Sequence, residues 1–189
     1  MTDPSLLFVR KSILVWDFDG TLADLTVDWN EVKRELFALA EDLEVEGPWL
    51  NATVEALRRA GRIRDAFSVI ERHERQGTLT AIPISLDFLK WSAERYRQAI
   101  FSDNLRSTIH SALERFELTH AFEHIVAKDD VEHFKPAPDG LRAIQQHMDE
   151  DDLSRFLMIG NSAKDEQAAG AFGIDFLHVR DLGRLRLHR

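Results

Sequence analysis

Two aspartates that stand one residue apart, Asp17 and Asp19, are the side chains of this sequence best placed to do chemistry. They follow the apolar run 13–16, which predicts a buried strand, and Gly20 then lets the chain turn sharply away. One carboxylate of such a pair can attack as a nucleophile while the other moves protons, and the two can share a divalent cation. This chemistry suits phosphoryl transfer. The alternative is an acidic turn that only caps the next helix.

Three later segments carry further polar side chains next to predicted strands or helices. They are Ser102-Asp103-Asn104 after an apolar run, Lys135 within Lys135-Pro136-Ala137-Pro138, and Asn161-Ser162 with Asp165 after another apolar run. A hydroxyl group followed by backbone N–H groups can bind an anion, and a lysine can neutralise one. Taken singly, each segment is also compatible with an ordinary turn, a solvated lysine or a helix cap.

The elements that would position these residues alternate between strands and helices. Apolar runs lie near 12–16, 98–102, 123–127, 155–159 and 174–179, and amphipathic segments lie near 105–116, 138–148 and 163–172. This alternation predicts an α/β fold, a Rossmann-like parallel sheet with helices on both faces. Right-handed crossovers place the carboxyl ends of such strands along one edge. We therefore expect Asp17, Ser102 and Asp165 to meet at that edge.

The stretch from 25 to 82 breaks the alternation and has a helical pattern. Helices are predicted around 29–43, 50–60 and 63–76, with breaks at Gly47-Pro48, Gly61 and Gly77. We expect two domains: an α/β core formed by 1–24 and 83–189, and a small all-helical domain of 25–82 inserted after the first strand. The insertion begins beside the two aspartates, so it can close over them; a packed appendage is the alternative.

Composition limits the classes of function. The chain has 189 residues, is 44% hydrophobic and 30% charged, and has no cysteine, which excludes a thiolate metal site and a cysteine nucleophile. Its net charge of -9 argues against a nucleic-acid surface. No apolar run reaches the length of a membrane span, and the N-terminus lacks the charge order of a secretory signal. We expect a cytoplasmic monomer or homodimer with no nucleic-acid or membrane partner.

Taken together and in this order, the four polar segments resemble the motifs of the haloacid dehalogenase-like hydrolase superfamily. The similarity runs from about 13 to 179 and is strongest to the phosphoglycolate phosphatase-like group. The resemblance implies that the helical insertion is a C1-type cap, which closes over the site and helps to choose the substrate. It also implies a phosphate ester as substrate, because dehalogenating relatives lack a carboxylate at the position of Asp19.

The resemblance assigns catalytic and binding roles to the polar residues. Asp17 would attack phosphorus and form an aspartyl-phosphate, and Asp19 would protonate the leaving oxygen and later activate water. Lys135 would neutralise charge on Asp17 and on the phosphoryl group. The phosphate-binding groups would be the Ser102 hydroxyl, the backbone N–H groups of Asp103 and Asn104, and the Lys135 ammonium.

The implied cofactor is Mg²⁺, and at this point the chain departs from the family pattern. Many relatives carry a carboxylate directly after the glycine of the fourth motif, whereas this chain has Asn161, whose amide oxygen can bind Mg²⁺ but carries no charge. We expect ligands from Asp17, the Asp19 carbonyl and Asp165, with a weak contribution from Asn161. Three interpretations stay open: Asn161 is a neutral ligand, Asp165 becomes a direct ligand, or turnover is lost. An engineered substitution at this position is a further alternative.

The expected function is a Mg²⁺-dependent phosphatase for a small phosphorylated metabolite, such as a phosphoglycolate-like acid or a sugar phosphate. The alternative is a weakly active or inactive relative that binds a phosphometabolite or a protein partner. A phosphosugar mutase would share the mechanism, and Asp19 argues against a dehalogenase.

Charged residues of the helical insertion can contact an anionic substrate, but a solvated face with i,i+4 pairs is favoured for them. They are Arg58, Arg59, Arg62, Arg64, His73 and Arg75. Asp24 and Trp29 stand at the start of the insertion, where substrate contact and packing are both open. Trp49 and Trp91 are predicted to pack in a core.

Overall fold

The computed structural model describes residues 7–46 and 50–185. The chain divides into two compact units, of which one is Met1–Asp24 with Thr80–Arg189 and the other is Leu25–Leu79. We call the first the core unit and the second the helical unit. The breaks predicted at Gly47-Pro48 and the packing predicted for Trp49 lie outside the described residues.

The core unit is built on a parallel sheet. The strands of the chain are β1 (Ile13–Trp16), β2 (Ala23–Thr26), β3 (Thr78–Ala81), β4 (Arg97–Phe101), β5 (His124–Val126), β6 (Phe156–Gly160) and β7 (Asp175–His178). Within the described residues, five of them form one sheet in the order β5-β4-β1-β6-β7, and every neighbouring pair is parallel. The predicted α/β architecture is confirmed.

Helices connect the strands. They are α1 (Trp29–Leu39), α2 (Leu50–Arg59), α3 (Ile63–Gln76), α4 (Pro83–Ala93), α5 (Arg106–Arg115), α6 (Asp139–Met148) and α7 (Ala163–Phe172), with 3₁₀ turns at Lys128–Asp130, Leu153–Arg155 and Val179–Arg184. No helix in the described part of the chain is long and apolar enough to cross a membrane. The helix α4 was not predicted, although Pro83 at its first turn is a typical helix start.

The central strand β1 is buried on both faces, as parallel strands usually are. Its four residues are at most 1% exposed, and burying each large apolar side chain contributes roughly 1.5–3 kcal/mol. One polar side chain in this layer, Gln98 of β4, has its hydrogen bonds satisfied. Its Oε1 accepts from Trp16 Nε1 at 2.7 Å and from Ser92 Oγ at 3.2 Å, and its Nε2 donates to the Leu89 carbonyl at 3.3 Å.

The register of the sheet places the candidate residues at one edge. Trp16, the last residue of β1, is paired with Ile100 in β4 and with Ile159 in β6. Asp17 therefore emerges between the carboxyl ends of two neighbouring strands. Ser102 follows β4 directly, at the same edge of the sheet.

The helical unit packs α1, α2 and α3 on one another through small and aliphatic side chains. Its buried apolar residues include Val32, Leu36, Val54, Leu57, Ala66 and Ile70. All three predicted helices are present, and α1 ends at Leu39 rather than near 43. The expectation of an all-helical insertion needs one correction, because β2 and β3 pair as a two-stranded sheet at its ends. In β2, buried and exposed side chains alternate, which is the strand period.

Candidate active site

Three charged side chains with little solvent exposure meet at the sheet edge. Lys135 Nζ donates to Asp17 Oδ1 and to Asp165 Oδ1, each at 2.7 Å. The side chains of Lys135, Asp165 and Asp17 are 2%, 1% and 10% exposed. Asp17 follows β1, Lys135 precedes α6 and Asp165 lies in the first turn of α7, so the fold joins residues that are far apart in sequence. The Lys135 ammonium therefore pairs with two carboxylates, and little water screens the charges.

Burial and charge move the pKa values of this trio in different directions. Burial raises the pKa of Asp17 from its ordinary 3.8 to about 6; Lys135 opposes this rise and Asp165 adds to it. Burial also acts to raise the pKa of Asp165, but Lys135 and Ser162 outweigh it and the pKa is lowered. For Lys135, burial favours the neutral form, yet the two carboxylates raise its pKa. Asp165 is thus the standing counter-ion of Lys135, and Asp17 is the carboxylate that a ligand can engage.

The loop after β1 orients the second oxygen of the Asp17 carboxylate. Thr21 Oγ1 donates to Asp17 Oδ2 at 3.1 Å. The backbone N–H of Thr21 donates to the Phe18 carbonyl at 3.2 Å, and the N–H of Asp17 donates to the Ile159 carbonyl at 2.9 Å. Thr21 therefore both closes the turn and contacts the candidate nucleophile.

Asn161 packs against Gly20 of the same loop. Gly20 has a φ of +73°, a conformation that other residues rarely adopt, and a Cβ placed on it would lie 1.8 Å from Asn161 Nδ2. The same position is 3.6 Å from Asn161 Oδ1, so the amide oxygen is turned away from Gly20. Glycine is needed here both for its backbone conformation and for the close approach of Asn161.

Asp165 is fixed at the start of α7 by Ser162. Asp165 Oδ2 accepts from the Ser162 backbone N–H at 2.9 Å and from its hydroxyl at 2.7 Å, and the Asp165 N–H donates back to Ser162 Oγ at 3.4 Å. A Cβ on Gly160 would lie 2.7 Å from the Asp165 carboxylate, so this contact requires glycine too. No role was predicted for Ser162, although Ser-x-x-Asp is the signature of such a reciprocal cap.

The site contains oxygen donors of the type that Mg²⁺ binds, from carboxylate, carbonyl and amide groups. Both Asp165 oxygens are engaged, one by the ammonium and one by the helix cap. Both Asp17 oxygens also accept hydrogen bonds, from Lys135 and from Thr21, so these contacts do not separate the two carboxylates as metal ligands. The Asp17 carboxylate, the Asp19 carbonyl and the Asn161 amide oxygen are hard oxygen donors of the kind that Mg²⁺ takes. Among the described residues, no group of three or more His, Asp or Glu side chains is arranged to hold a metal ion.

The loop 102–104, which was expected to bind phosphate, follows β4, and its polar groups are hydrogen-bonded to one another. We call it the phosphate loop. Ser102 Oγ donates to Asn104 Oδ1 at 3.0 Å and accepts from the Asn104 backbone N–H at 3.1 Å. Both residues are buried. The Asn104 N–H that was expected to bind phosphate is therefore bonded locally, as in an ordinary turn. A phosphoryl oxygen would have to take over the hydrogen bonds that these two residues now exchange.

Asp103 links three loops at the strand ends through its side chain. Its Oδ1 accepts from the Lys135 backbone N–H at 3.1 Å, and its Oδ2 lies 3.6 Å from Lys164 Nζ in α7. Only the backbone N–H of Asp103 was predicted to take part in the site. The carboxylate instead connects the phosphate loop with the loop of Lys135 and with the start of α7.

Four residues outside this cluster are exposed or half-buried. Asp24 is exposed in β2, and Trp29 is half-buried at the start of α1. Trp91 is half-buried and its ring lies 5.3 Å from that of a neighbouring phenylalanine. His133 is exposed, and its Nδ1 lies 2.8 Å from Asp139 Oδ2.

Arginines of the helical unit form short-range ion pairs at its surface. Arg62 Nη1 lies 3.0 Å from Asp42 Oδ1, and Arg75 Nη2 lies 2.9 Å from Glu71 Oε1 one helical turn away. These contacts agree with the solvated face that the sequence favours.

One polar cluster of the helical unit was not predicted. Glu35 in α1 faces α3, where His73 Nε2 lies 2.8 Å from Glu35 Oε1 and Arg72 Nη1 donates to the same oxygen at 3.3 Å. Hydrogen bonds from Arg72 and His73 lower the pKa of Glu35 from 4.5 to about 2. With Asp28 and Glu31, these side chains line a cavity of about 330 Å³.

Known proteins are similar to this chain in sequence. A family model described as haloacid dehalogenase-like hydrolase matches residues 14–179. Pyrophosphatase PpaX of Oceanobacillus iheyensis is 28% identical over 145 residues, which cover 71% of this chain and 68% of that protein.

Solved structures of low sequence identity have the same fold. A protein from Bacteroides fragilis, described as haloacid dehalogenase-like hydrolase, has a TM-score of 0.67 at 23% identity, over 88% of this chain and 86% of that one. CbbY from Rhodobacter sphaeroides, solved in complex with phosphate, has a TM-score of 0.63 at 19% identity, over 89% and 85% of the two chains.

Proposed function

The chain belongs to the haloacid dehalogenase-like hydrolases, and on this basis we propose that it is a Mg²⁺-dependent phosphatase that hydrolyses a small phosphate monoester through an aspartyl-phosphate. The observation that carries the proposal is the buried ammonium of Lys135 between Asp17 and Asp165, at 2.7 Å from each. A nucleophilic carboxylate needs a cation nearby to approach a phosphate dianion, and Lys135 is that cation.

In the first step, a carboxylate oxygen of Asp17 attacks phosphorus and the bond from phosphorus to the ester oxygen breaks. The pKa of Asp17, raised to about 6, leaves the group ionised at neutral pH while keeping it more basic, and hence more nucleophilic, than an ordinary aspartate. Lys135 and Thr21 hold its two oxygens in place. Asp19 would give its proton to the departing alkoxide.

In the second step, water attacks the phosphorus of the aspartyl-phosphate and Asp17 leaves as a carboxylate. Asp19, now ionised, would take the proton from this water, so the same residue serves as acid and then as base. The products are inorganic phosphate and the free Asp17 carboxylate. Lys135 remains in place through both steps because Asp165 keeps it bound.

The loop of Ser102 is proposed to bind the phosphoryl oxygens. Its hydroxyl and the Asn104 N–H, which now bond each other, are donors that a phosphate oxygen can recruit. Asp103 holds the backbone of Lys135 next to this loop. The exchange of one local hydrogen bond for a charge-assisted bond to phosphate favours the bound state.

Magnesium would be held by Asp17, the Asp19 carbonyl and Asn161. When bound, it supplies positive charge that stabilises the phosphoryl group in transit. Asn161 contributes no charge, so we expect Mg²⁺ to bind more weakly here than in a site with an additional carboxylate. Asp165 is proposed to position Lys135 and not to bind the metal.

The substrate class is a small phosphorylated metabolite, with phosphoglycolate-like acids and sugar phosphates as candidates. The name of the similar pyrophosphatase adds pyrophosphate to the compounds worth testing. The fold alone does not choose among them, because related folds host many substrates.

The test is phosphate release from a panel of these compounds and a generic aryl phosphate, with Mg²⁺ and with chelator. We expect turnover that requires Mg²⁺ and disappears in Asp17→Asn. Asn161→Asp serves as the matched variant, and it should reach half-maximal rate at lower Mg²⁺. Absence of turnover in the unchanged chain at high Mg²⁺ would refute the proposal.

A second function, binding without turnover, is favoured by one observation, the neutral Asn161 where a carboxylate is usual. It predicts that the chain binds a phosphometabolite or a protein partner and hydrolyses nothing, while Asn161→Asp gains activity. The same panel separates the two functions.

A further inference from the structure

A second lysine, Lys128, is buried close to the phosphate loop and has no part in the reaction described above. It lies in the 3₁₀ turn that follows β5, and only 2% of the residue is exposed. Its Nζ lies 4.3 Å from the centroid of the Phe134 ring. Lysines are almost never buried to this degree, because removing an ammonium group from water is costly.

Both ends of Lys128 contact loops of the site. Its backbone N–H donates to the Asn104 carbonyl at 2.9 Å, and Asn104 is bonded to Ser102 in the phosphate loop. Its side chain contacts Phe134, which is 3% exposed and directly precedes Lys135. Lys128 is therefore in contact with the phosphate loop through its backbone and with the lysine loop through its side chain.

The contact of Lys128 with Phe134 places an ammonium group over an aromatic ring. A methionine would fill the same space without the cost of desolvating an ammonium group, and Met is the usual filler of irregular gaps. An ammonium over an aromatic face is attracted by the ring, most strongly where water is excluded. The attraction holds the Phe134 ring, and with it the backbone that places Lys135.

We propose that Lys128 is a positioning residue of the active site, which fixes the loop of Lys135 relative to the phosphate loop of Ser102. This inference deepens the proposed function and rests on it. Lys128 acts through Phe134 and does not touch the substrate. Its effect should therefore appear in the rate of phosphoryl transfer and in phosphate affinity, with little effect on folding.

The experiment compares Lys128→Met, Phe134→Leu and the double variant with the unchanged chain, and uses Lys90→Met, the same change at an exposed lysine, as control. We expect kcat to fall between about tenfold and a hundredfold in each single variant, and the thermal unfolding midpoint to change little. The double variant should be no slower than the slower single variant, because both remove one interaction. Lys128→Arg keeps a cation over the ring and should restore most of the rate.

Several results would overturn the proposal. They are full kcat in Lys128→Met, additive losses in the double variant, or a loss that follows thermal destabilisation and is not restored by arginine. If Lys128→Met does not fold, Phe134→Leu and Lys128→Arg decide by the same criteria.

Titration with inorganic phosphate separates this inference from the proposed function. If the unchanged chain hydrolyses no ester, the phosphatase proposal fails, and phosphate affinity then tests Lys128 alone. Weaker phosphate binding by Lys128→Met than by Lys90→Met would support the positioning role, and equal binding would overturn it. A chain that neither turns over nor binds phosphate would contradict both proposals.

Discussion

The core unit and the helical unit each contain a carboxylate paired with a cation, and the two carboxylates have pKa values shifted in opposite directions. In the core, Asp17 shares one buried ammonium with a second carboxylate, and its pKa is raised to about 6. In the helical unit, Glu35 is hydrogen-bonded to both Arg72 and His73, and its pKa is lowered to about 2. The side chain of Glu35 is 36% exposed, against 10% for Asp17. Burial raises the pKa of Asp17 because one shared ammonium does not offset it, whereas Asp165, which is as buried, has a lowered pKa because Lys135 and Ser162 together outweigh burial.

The two shifts have opposite consequences for stability at different pH. Asp17 has a folded pKa above its ordinary value of 3.8, so the folded state favours its protonated form. The contribution of this form to folding stability is complete below about pH 4 and is lost as the pH rises through about 6. Glu35 has a folded pKa below its ordinary value of 4.5, so its effect is present above pH 4.5 and is lost as the pH falls through about 2. At neutral pH, the ionised form of Asp17 therefore costs folding free energy, whereas the ionised form of Glu35 contributes its full stabilisation.

The largest expected effect comes from removing the nucleophile. Asp17→Asn keeps the shape of the side chain and should lower turnover by at least about a thousandfold, because no other group can form the covalent intermediate. It should not destabilise the fold, since it removes a buried charge from a site with two carboxylates and one ammonium. Steady-state kinetics with an aryl phosphate and thermal unfolding measure the two outcomes. Retained turnover in a protein free of wild-type contamination would contradict the assignment.

Removing the shared cation should damage both activity and folding. Lys135→Met leaves two adjacent carboxylates without a counter-ion, which should cost about 3 kcal/mol of unfolding free energy, and turnover should fall by about a hundredfold or more. Urea unfolding at neutral pH measures the first effect. Lys164→Met, at the exposed lysine near Asp103, is the control and should lose much less stability. Equal losses in the two variants would show that burial of Lys135 is not what matters.

The pH dependence of the core site offers a finer test. In chelator, the stability of the unchanged chain relative to Asp17→Asn should fall as the pH rises from about 4 to about 6, because only the unchanged chain must ionise the buried carboxyl. Saturating Mg²⁺ should reduce this difference, since a bound cation favours the ionised form. Urea unfolding at several pH values gives the difference directly. A flat difference in chelator would mean that Asp17 has an ordinary pKa.

The smallest effect is expected in the helical unit. Glu35→Gln removes the charge that Arg72 and His73 contact, and should slightly lower the thermal midpoint at neutral pH, with the difference vanishing as the pH falls below about 2. Exposed pairs contribute little because water and salt screen them. Glu41→Gln, at an exposed position, is the control. A loss as large as that of Lys135→Met would remove the contrast between the two units.

The sequence predicted the sheet of the core unit well because its strands are short apolar runs separated by amphipathic helices. It did not predict β2 and β3, each four residues long and too short for a period to be read with certainty. It also left α4 unassigned between the insertion and β4. In α4, serines at buried positions interrupt the apolar pattern, and their burial depends on the tertiary structure.

For the site, the sequence identified the chain positions that meet, but not how their atoms are paired. Asp165 was expected to bind metal, which stays a prediction, and the sequence did not show that its oxygens accept hydrogen bonds from Lys135 and Ser162. The side chain of Asp103 and the burial of Lys128 arise from loops that touch only after folding. Residue type and spacing predict which groups are near an edge, whereas partner choice depends on distances of a few tenths of an ångström.

The pairing of β2 with β3 has a consequence for how this chain can be redesigned. The boundary between the two units falls inside both strands, which are hydrogen-bonded neighbours, so the polypeptide leaves the core unit and returns to it at one place. The segment from 27 to 77 is therefore an insertion whose two ends follow and precede adjacent strands. A short linker should be able to replace it, or another insert take its place, without changing the order of strands that carries Asp17, Ser102 and Lys135.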